Sequence, residues 1–151
     1  MVLLLAFCFR LWFGLNLDLS RDDPQQIYLI GLKCYLTGTW PYFGPDVDAN
    51  VQIPGALQGL IVAAPLYLAP IAESPFILLN LLSLLSLCLF AEYCIRHLPK
   101  VPPWLIRTWL LTAPWTLGLS THVYNPSYVL MGSVAFFLGA FETYPLLRLN
   151  L

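Results

Sequence analysis

Apolar residues run through this chain in long blocks, and the polar positions between them mark where it turns. Residues 49–72 carry no formal charge over 24 positions, 74–91 none over 18, and 108–141 none over 34. A membrane-crossing helix takes about 20 predominantly apolar residues, so the first two blocks predict one crossing each, near 53–72 and 75–95. As a single helix the third block would reach roughly 50 Å at 1.5 Å per residue, too long for one simple crossing. Asn125-Pro126 divides it, because proline disfavours helical backbone at the residue before it, and crossings are predicted near 104–121 and 126–144. The opening block, 2–17, is short for a crossing and holds Arg10 in its middle. It lacks the basic start and small-residue cleavage site of a signal peptide. The pattern predicts an all-α, polytopic transmembrane protein of about five membrane segments.

The one long polar stretch, 18–52, carries Asp18, Asp22, Asp23, Asp46 and Asp48, five of the chain's eight carboxylates. Within it, 24–37 reads as a helix with Asp23 at the cap, Pro24 at the first helical position and Gly38 as the stop. Its apolar positions, Ile27, Tyr28, Ile30, Cys34 and Tyr35, alternate with Gln25, Gln26 and Lys33. Such a helix is expected to lie in the membrane interface rather than cross it.

Composition agrees with the pattern and narrows the function classes. Of 151 residues, 59% are hydrophobic and 10% charged, with mean hydropathy +0.74; soluble domains are closer to half apolar and a quarter charged. That excludes a disordered chain. A net charge of −1 without a basic cluster excludes a nucleic-acid binder. Four cysteines without regular spacing exclude a disulfide scaffold or a CxxC zinc site, and Cys8, Cys34, Cys88 and Cys94 read as small apolar residues. Nucleophilic triads, phosphate-binding loops and dinucleotide fingerprints are absent.

Orientation stays open at this level. The positive-inside rule places Arg96, Lys100 and Arg107 in the cytoplasm, yet two expected crossings would return the acidic stretch to that same side. Arg21 and Lys33 lie in the acidic stretch as well.

The candidate chemistry gathers between 18 and 52. An ionised carboxylate near a helix N-terminus is favoured by the helix dipole, so Asp22 or Asp23 is placed to act as a general base on a hydroxyl, or simply to cap the helix. Asp46 and Asp48 follow the Gly44-Pro45 turn and are candidates for a metal or an acceptor sugar, or form a solvated acidic turn. Arg21, Lys33, Arg96, Lys100 and Arg107 are candidate phosphate contacts; basic residues at the edge of a membrane segment also snorkel to lipid headgroups, the plainer role for Lys33, Arg96, Lys100 and Arg107. An arginine in mid-membrane is costly and ordinarily faces a partner or a cavity, unless Arg10 belongs to a longer segment and lies at the interface. His122 has no second histidine or cysteine at metal-ligand spacing and reads as a loop residue.

Taken in order, several short motifs resemble the N-terminal part of membrane glycosyltransferases of the GT-C fold, the family 39 and aminoarabinose-transferase-like enzymes. Phe9-Arg10-Leu11-Trp12 is similar to the Arg-Leu-aromatic stretch ending the family's first span. Asp22-Asp23-Pro24 stands where the family has Asp-Glu or Asp-Gln in its first external loop. Gly38-Thr39-Trp40-Pro41 with Gly44-Pro45 is similar to its G-x-x-P…G-P loop, and Ile53-Pro54-Gly55-Ala56-Leu57 to the Pro-Gly-Pro-Leu opening its second span. Tyr124-Asn125-Pro126-Ser127 is similar to a Trp-Asn-Pro-Ser of many members. The order extends over about 140 residues.

The resemblance implies inverting transfer of a sugar from a polyprenyl-phosphate donor to an acceptor lipid, glycan or protein. It implies Asp22 as general base and Asp23 as support for an acceptor or a divalent metal. The donor phosphate is then the leaving group and needs a cationic partner. It also implies a periplasmic or luminal 18–52 loop, most naturally at a bacterial plasma membrane. Asp23 departs from the family's Glu or Gln by one methylene. Family members are several-fold longer, so the expectation is an N-terminal portion of such an enzyme, with its donor site elsewhere. The alternative is a non-catalytic membrane subunit packing against partner helices.

Overall fold

The computed structural model describes residues 2–16, 22–48, 51–54, 57–123 and 125–143. They form helices α1 (Val2–Asn16), α2 (Asp22–Thr37), α3 (Leu57–Leu68), α4 (Ser74–His97), α5 (Pro103–Thr112), α6 (Pro114–Ser120) and α7 (Val129–Thr143). A 3₁₀ turn over Asn125–Tyr128 leads into α7, and strands β1 (Phe43–Asp48) and β2 (Val51–Pro54) form an antiparallel hairpin. The fold is mostly helical, as expected. The acidic stretch departs from all-α, because Val51–Pro54 pairs back on β1, with Phe43 opposite Pro54 and Asp46 opposite Gln52.

That pairing also corrects the segment expected at 53–72. Its first residues are a strand, and α3 has only 12 residues, about 18 Å of helix, less by itself than the roughly 30 Å hydrocarbon layer. Of the described helices, α4, with 24 residues, is the one long and apolar enough to do so by itself. Pro75 sits in its first turn, where a missing N–H costs nothing, and Arg96 and His97 occupy its last turn, where the dipole favours cations.

The segment expected at 104–121 is two helices. Ala113 precedes Pro114 and adopts φ −57°, ψ 135°, the extended backbone that the proline ring imposes on its predecessor. The Leu110 carbonyl, whose helical donor would be the N–H that Pro114 lacks, accepts Thr116 Oγ1 at 2.9 Å instead. The block at 126–144 likewise begins as 3₁₀ and becomes α-helical at Val129. Helix α2 starts at Asp22, a residue before the expected cap, so Asp23 lies within its first turn. Its expected stop is present: Gly38 has φ +66°, a conformation glycine adopts without strain, and donates its N–H to the Cys34 carbonyl at 2.9 Å.

Side-chain contacts set the directions of the helices. Gly14, near the end of α1, lies against Thr121, and Asn80, near the start of α4, donates to the Thr121 carbonyl at 2.7 Å. Arg107 on α5 pairs with Glu92 toward the far end of α4 at 2.7 Å. The Phe137 ring of α7 meets Phe90 and Tyr93 edge-on, with centroids 5.6 and 5.1 Å apart. So α1 and the α5–α6 pair run antiparallel to α4, and α7 runs beside it in the same direction.

At the end where α4 begins, Ile27 of α2, Val62 of α3, Phe76 and Leu79 of α4 and Val123 form one buried cluster. Helices α2 and α3 cross in close contact, a Cβ on Gly31 falling 2.5 Å from Val62 and one on Gly59 falling 2.7 Å from Ile30. Tyr28 ties α2 to this end by donating to the Ala72 carbonyl at 3.1 Å. Burial, and then the neighbouring Glu73 carboxylate, raise its phenol above the ordinary tyrosine value, which keeps the donating proton in place.

The two ends of α4 are therefore unlike. The α2–α3 layer gathers at one; Arg96, Lys100 and Arg107 lie at the other, about 36 Å along the helix axis. Between these groups α4 is the one described helix that is long and apolar enough to cross a membrane by itself.

Candidate functional site

Helix α2 and β1 enclose a groove of about 630 Å³, floored and walled by residues from Gln26 to Asp46. Gln26, Leu29, Ile30 and Lys33 recur at helical spacing and give α2 one continuous face on it. The opposite wall is the 39–46 segment, where Thr39, Trp40, Pro41, Tyr42 and Phe43 come before the buried Gly44-Pro45 pair. Two sets of hydrogen bonds hold the walls. Gln26 Oε1 accepts the Asp46 backbone N–H at 2.7 Å, bridging helix and strand. Thr37 Oγ1 donates to the Lys33 carbonyl at 2.7 Å and lies 2.6 Å from Thr39 Oγ1, fixing the turn after Gly38.

Of the candidates raised from sequence, Lys33 and Asp46 come together as exposed side chains on facing walls of this groove. Asp22 and Asp23 open the same helix, one turn before Gln26; their side chains, like that of Asp48 in β1, lie outside the described residues, as do Asp18 and Arg21 altogether. Among the described residues no three of His, Cys, Asp and Glu come together to hold a metal ion.

The aromatic wall was not singled out from sequence, although its signal is there: Trp40, Tyr42 and Phe43 fall within four residues of a polar stretch. All three are more than half exposed, which for rings this large is unusual in water and ordinary at a membrane interface.

The start of α2 packs beside the turn after α6 through Ile27 and Val123. That turn is held from below: Ser127 donates to the His122 carbonyl at 2.7 Å, and Asn80, fully buried, donates to the Thr121 and Phe76 carbonyls. His122, expected in an open loop, is buried.

Arg10 is the other outcome of note. Rather than lying at an interface it is completely buried, with Nη1 donating to the Leu111 carbonyl at 3.0 Å and Nη2 to Ser120 Oγ at 2.5 Å. It faces the break between α5 and α6, where helical bonding lapses. The four cysteines are free, and Cys34 is the buried one. No protein-family model, no curated protein and no solved structure matches the chain.

Proposed function

We propose that the chain is a polytopic membrane protein acting at the membrane surface as the N-terminal part of a GT-C-like glycosyltransferase. The reaction is inverting transfer of a sugar from a polyprenyl-phosphate donor to an acceptor hydroxyl. Asp22 is the general base: it takes the hydroxyl proton as the acceptor oxygen attacks the anomeric carbon and the polyprenyl phosphate departs. Asp23 supports the acceptor or a divalent metal.

The observation that carries this reading is a convergence. Asp22-Asp23-Pro24 opens α2, and Asn125-Pro126-Ser127 forms the 3₁₀ turn about 100 residues later; the two elements pack on each other at one end of the bundle. Gly38-Thr39-Trp40-Pro41 and Gly44-Pro45 line the groove along the same helix. Burial of Ile27 against Val123 brings together the elements that carry these distant motifs, and this supports a shared site. Replacing Asp22 by Asn keeps the shape and removes the basicity. In membranes carrying the chain as part of a full-length protein that supplies the donor site, and given a labelled sugar on polyprenyl phosphate, Asp22→Asn is expected to slow transfer by roughly 10²–10⁴-fold without changing insertion. Equal rates for the two proteins, or no transfer by the wild type, would refute the assignment and leave a non-catalytic subunit.

Membrane crossing follows α4, the α5–α6 pair, α1 and α7, four passages instead of five, with α2, the hairpin and α3 on one side. Short apolar helices such as α1 and α7 are accommodated by local thinning of the bilayer. Arg96, Lys100 and Arg107 then face the cytoplasm, and the groove faces outward. In a chain with its native cysteines replaced, Asp46→Cys is expected to react with an impermeant maleimide on intact cells, and Lys100→Cys only after permeabilisation. The reverse pattern, or labelling of both from outside, would overturn this topology.

A further inference from the structure

We infer that the groove between α2 and β1 is a binding site for the headgroup of a zwitterionic phospholipid, one that carries both a phosphate and an ammonium. The inference needs the membrane location but not the transfer chemistry.

Charge complementarity selects the ligand. Lys33 on the helical wall supplies an ammonium, and Asp46 on the strand wall a carboxylate. Among the described residues the ion pair is that of Arg107 with Glu92; Lys33 and Asp46 are not joined to each other. Charges of opposite sign that line one groove without pairing with each other match a ligand with a negative and a positive group along its length. A neutral sugar can hydrogen-bond both side chains but does not neutralise their opposite charges, and a polyprenyl phosphate leaves Asp46 opposed to like charge. The aromatic wall adds to the cationic half, because a substituted ammonium is attracted to the faces of Trp, Tyr and Phe rings.

Position accounts for the rest of the molecule. Leu29 and Leu36 on α2 are 59% and 68% exposed, and Trp40 and Tyr42 61% and 73%. A lipid seated by its headgroup has apolar side chains beside the groove along which to lay its acyl chains. The groove walls are held rigidly by Gln26 on Asp46 and by the Thr37–Thr39 contact, so little ordering is needed on binding.

The test uses the full chain purified in detergent, with short-chain phosphatidylethanolamine and phosphatidylglycerol titrated separately and bound lipid counted by native mass spectrometry. The wild type is expected to hold phosphatidylethanolamine about tenfold more tightly than phosphatidylglycerol, the scale of one charge-assisted hydrogen bond. Asp46→Asn should abolish that preference by weakening phosphatidylethanolamine alone, while Lys33→Gln weakens both lipids about tenfold. Soluble glycerophosphoethanolamine should displace bound lipid from the wild type, a readout that needs no variant. Equal affinity for the two lipids, or a preference that survives Asp46→Asn, would overturn the inference. Tighter retention of a polyprenyl-phosphate sugar than of phosphatidylethanolamine would overturn it too, and would assign the groove to the glycosyl donor. Loss of transfer by Asp22→Asn with lipid preference intact separates this site from the catalytic proposal.

Discussion

Replacing Gly14 with alanine is expected to break the bundle where α1 meets the turn after α6. A Cβ at Gly14 would stand 2.0 Å from the Thr121 carbonyl oxygen and 2.7 Å from its carbonyl carbon. These are backbone atoms, so no rotamer change relieves the clash. Thr121 cannot retreat cheaply either: its carbonyl accepts from Asn80, its hydroxyl donates to the Leu117 carbonyl at 2.7 Å, and both residues are fully buried. Overpacking costs about 1–3 kcal/mol and sometimes more, and each buried polar group left unpaired adds about 1–3 kcal/mol. A loss of about 3 kcal/mol or more is the expected result, read as unfolding of the purified chain in detergent. Gly132→Ala and Gly139→Ala on α7 are the controls, since a Cβ at either position meets nothing within 4 Å; both should be neutral or gain up to about 1 kcal/mol of helix propensity. A Gly14→Ala protein as stable as the Gly132→Ala protein would disprove the close approach.

Removing the Arg10 guanidinium is the second large effect. The Leu111 carbonyl lies just before the Ala113–Pro114 break, where the helix no longer supplies a donor, and Arg10 Nη1 takes that place. Nη2 meets Ser120 Oγ, which in turn donates to the Thr116 carbonyl. With Arg10 completely buried, no water replaces these bonds. Arg10→Ala leaves an unpaired carbonyl, costing about 1–3 kcal/mol, together with a cavity the length of the side chain, for which large-to-alanine changes cost about 2–5 kcal/mol. Arg10→Met fills the cavity and isolates the polar contribution. Arg10→Lys should fall between them, because a single ammonium does not reproduce the two-armed fork. The order Arg, Lys, Met, Ala in resistance to unfolding is expected. If Met equals Arg, the hydrogen bonds at the helix break contribute nothing and the residue acts through its volume.

Both effects arise at one junction, and neither was legible in the sequence beyond the oddity of an arginine among leucines. A lone Arg10 in a 15-residue apolar helix signals an unseen partner, but that partner is a main-chain oxygen 101 residues away, and carbonyls leave no trace in composition. The break that exposes it was half visible. Pro114 and Pro126 are equally capable of interrupting a helix, yet the length of the uncharged block calls for only one division, and Asn125-Pro126 already supplies it.

Local chemistry by itself determined the mostly helical fold, the long helix α4, the helix 24–37 with its glycine stop, and the acidic stretch as the place where polar groups gather. These depend on short-range terms: apolar content, proline geometry, and the freedom of Gly38 at positive φ. Tertiary structure decided the rest. Residues 51–54 are as apolar as the start of a crossing, but their amides found partners in 43–48, and a strand took the place of a helical turn. That shortened α3, left α4 as the one helix of crossing length between the acidic and basic groups, and placed the groove and the Arg96–Arg107 region at opposite ends. Which backbone groups pair depends on contacts between distant segments, and hydropathy carries no record of that choice.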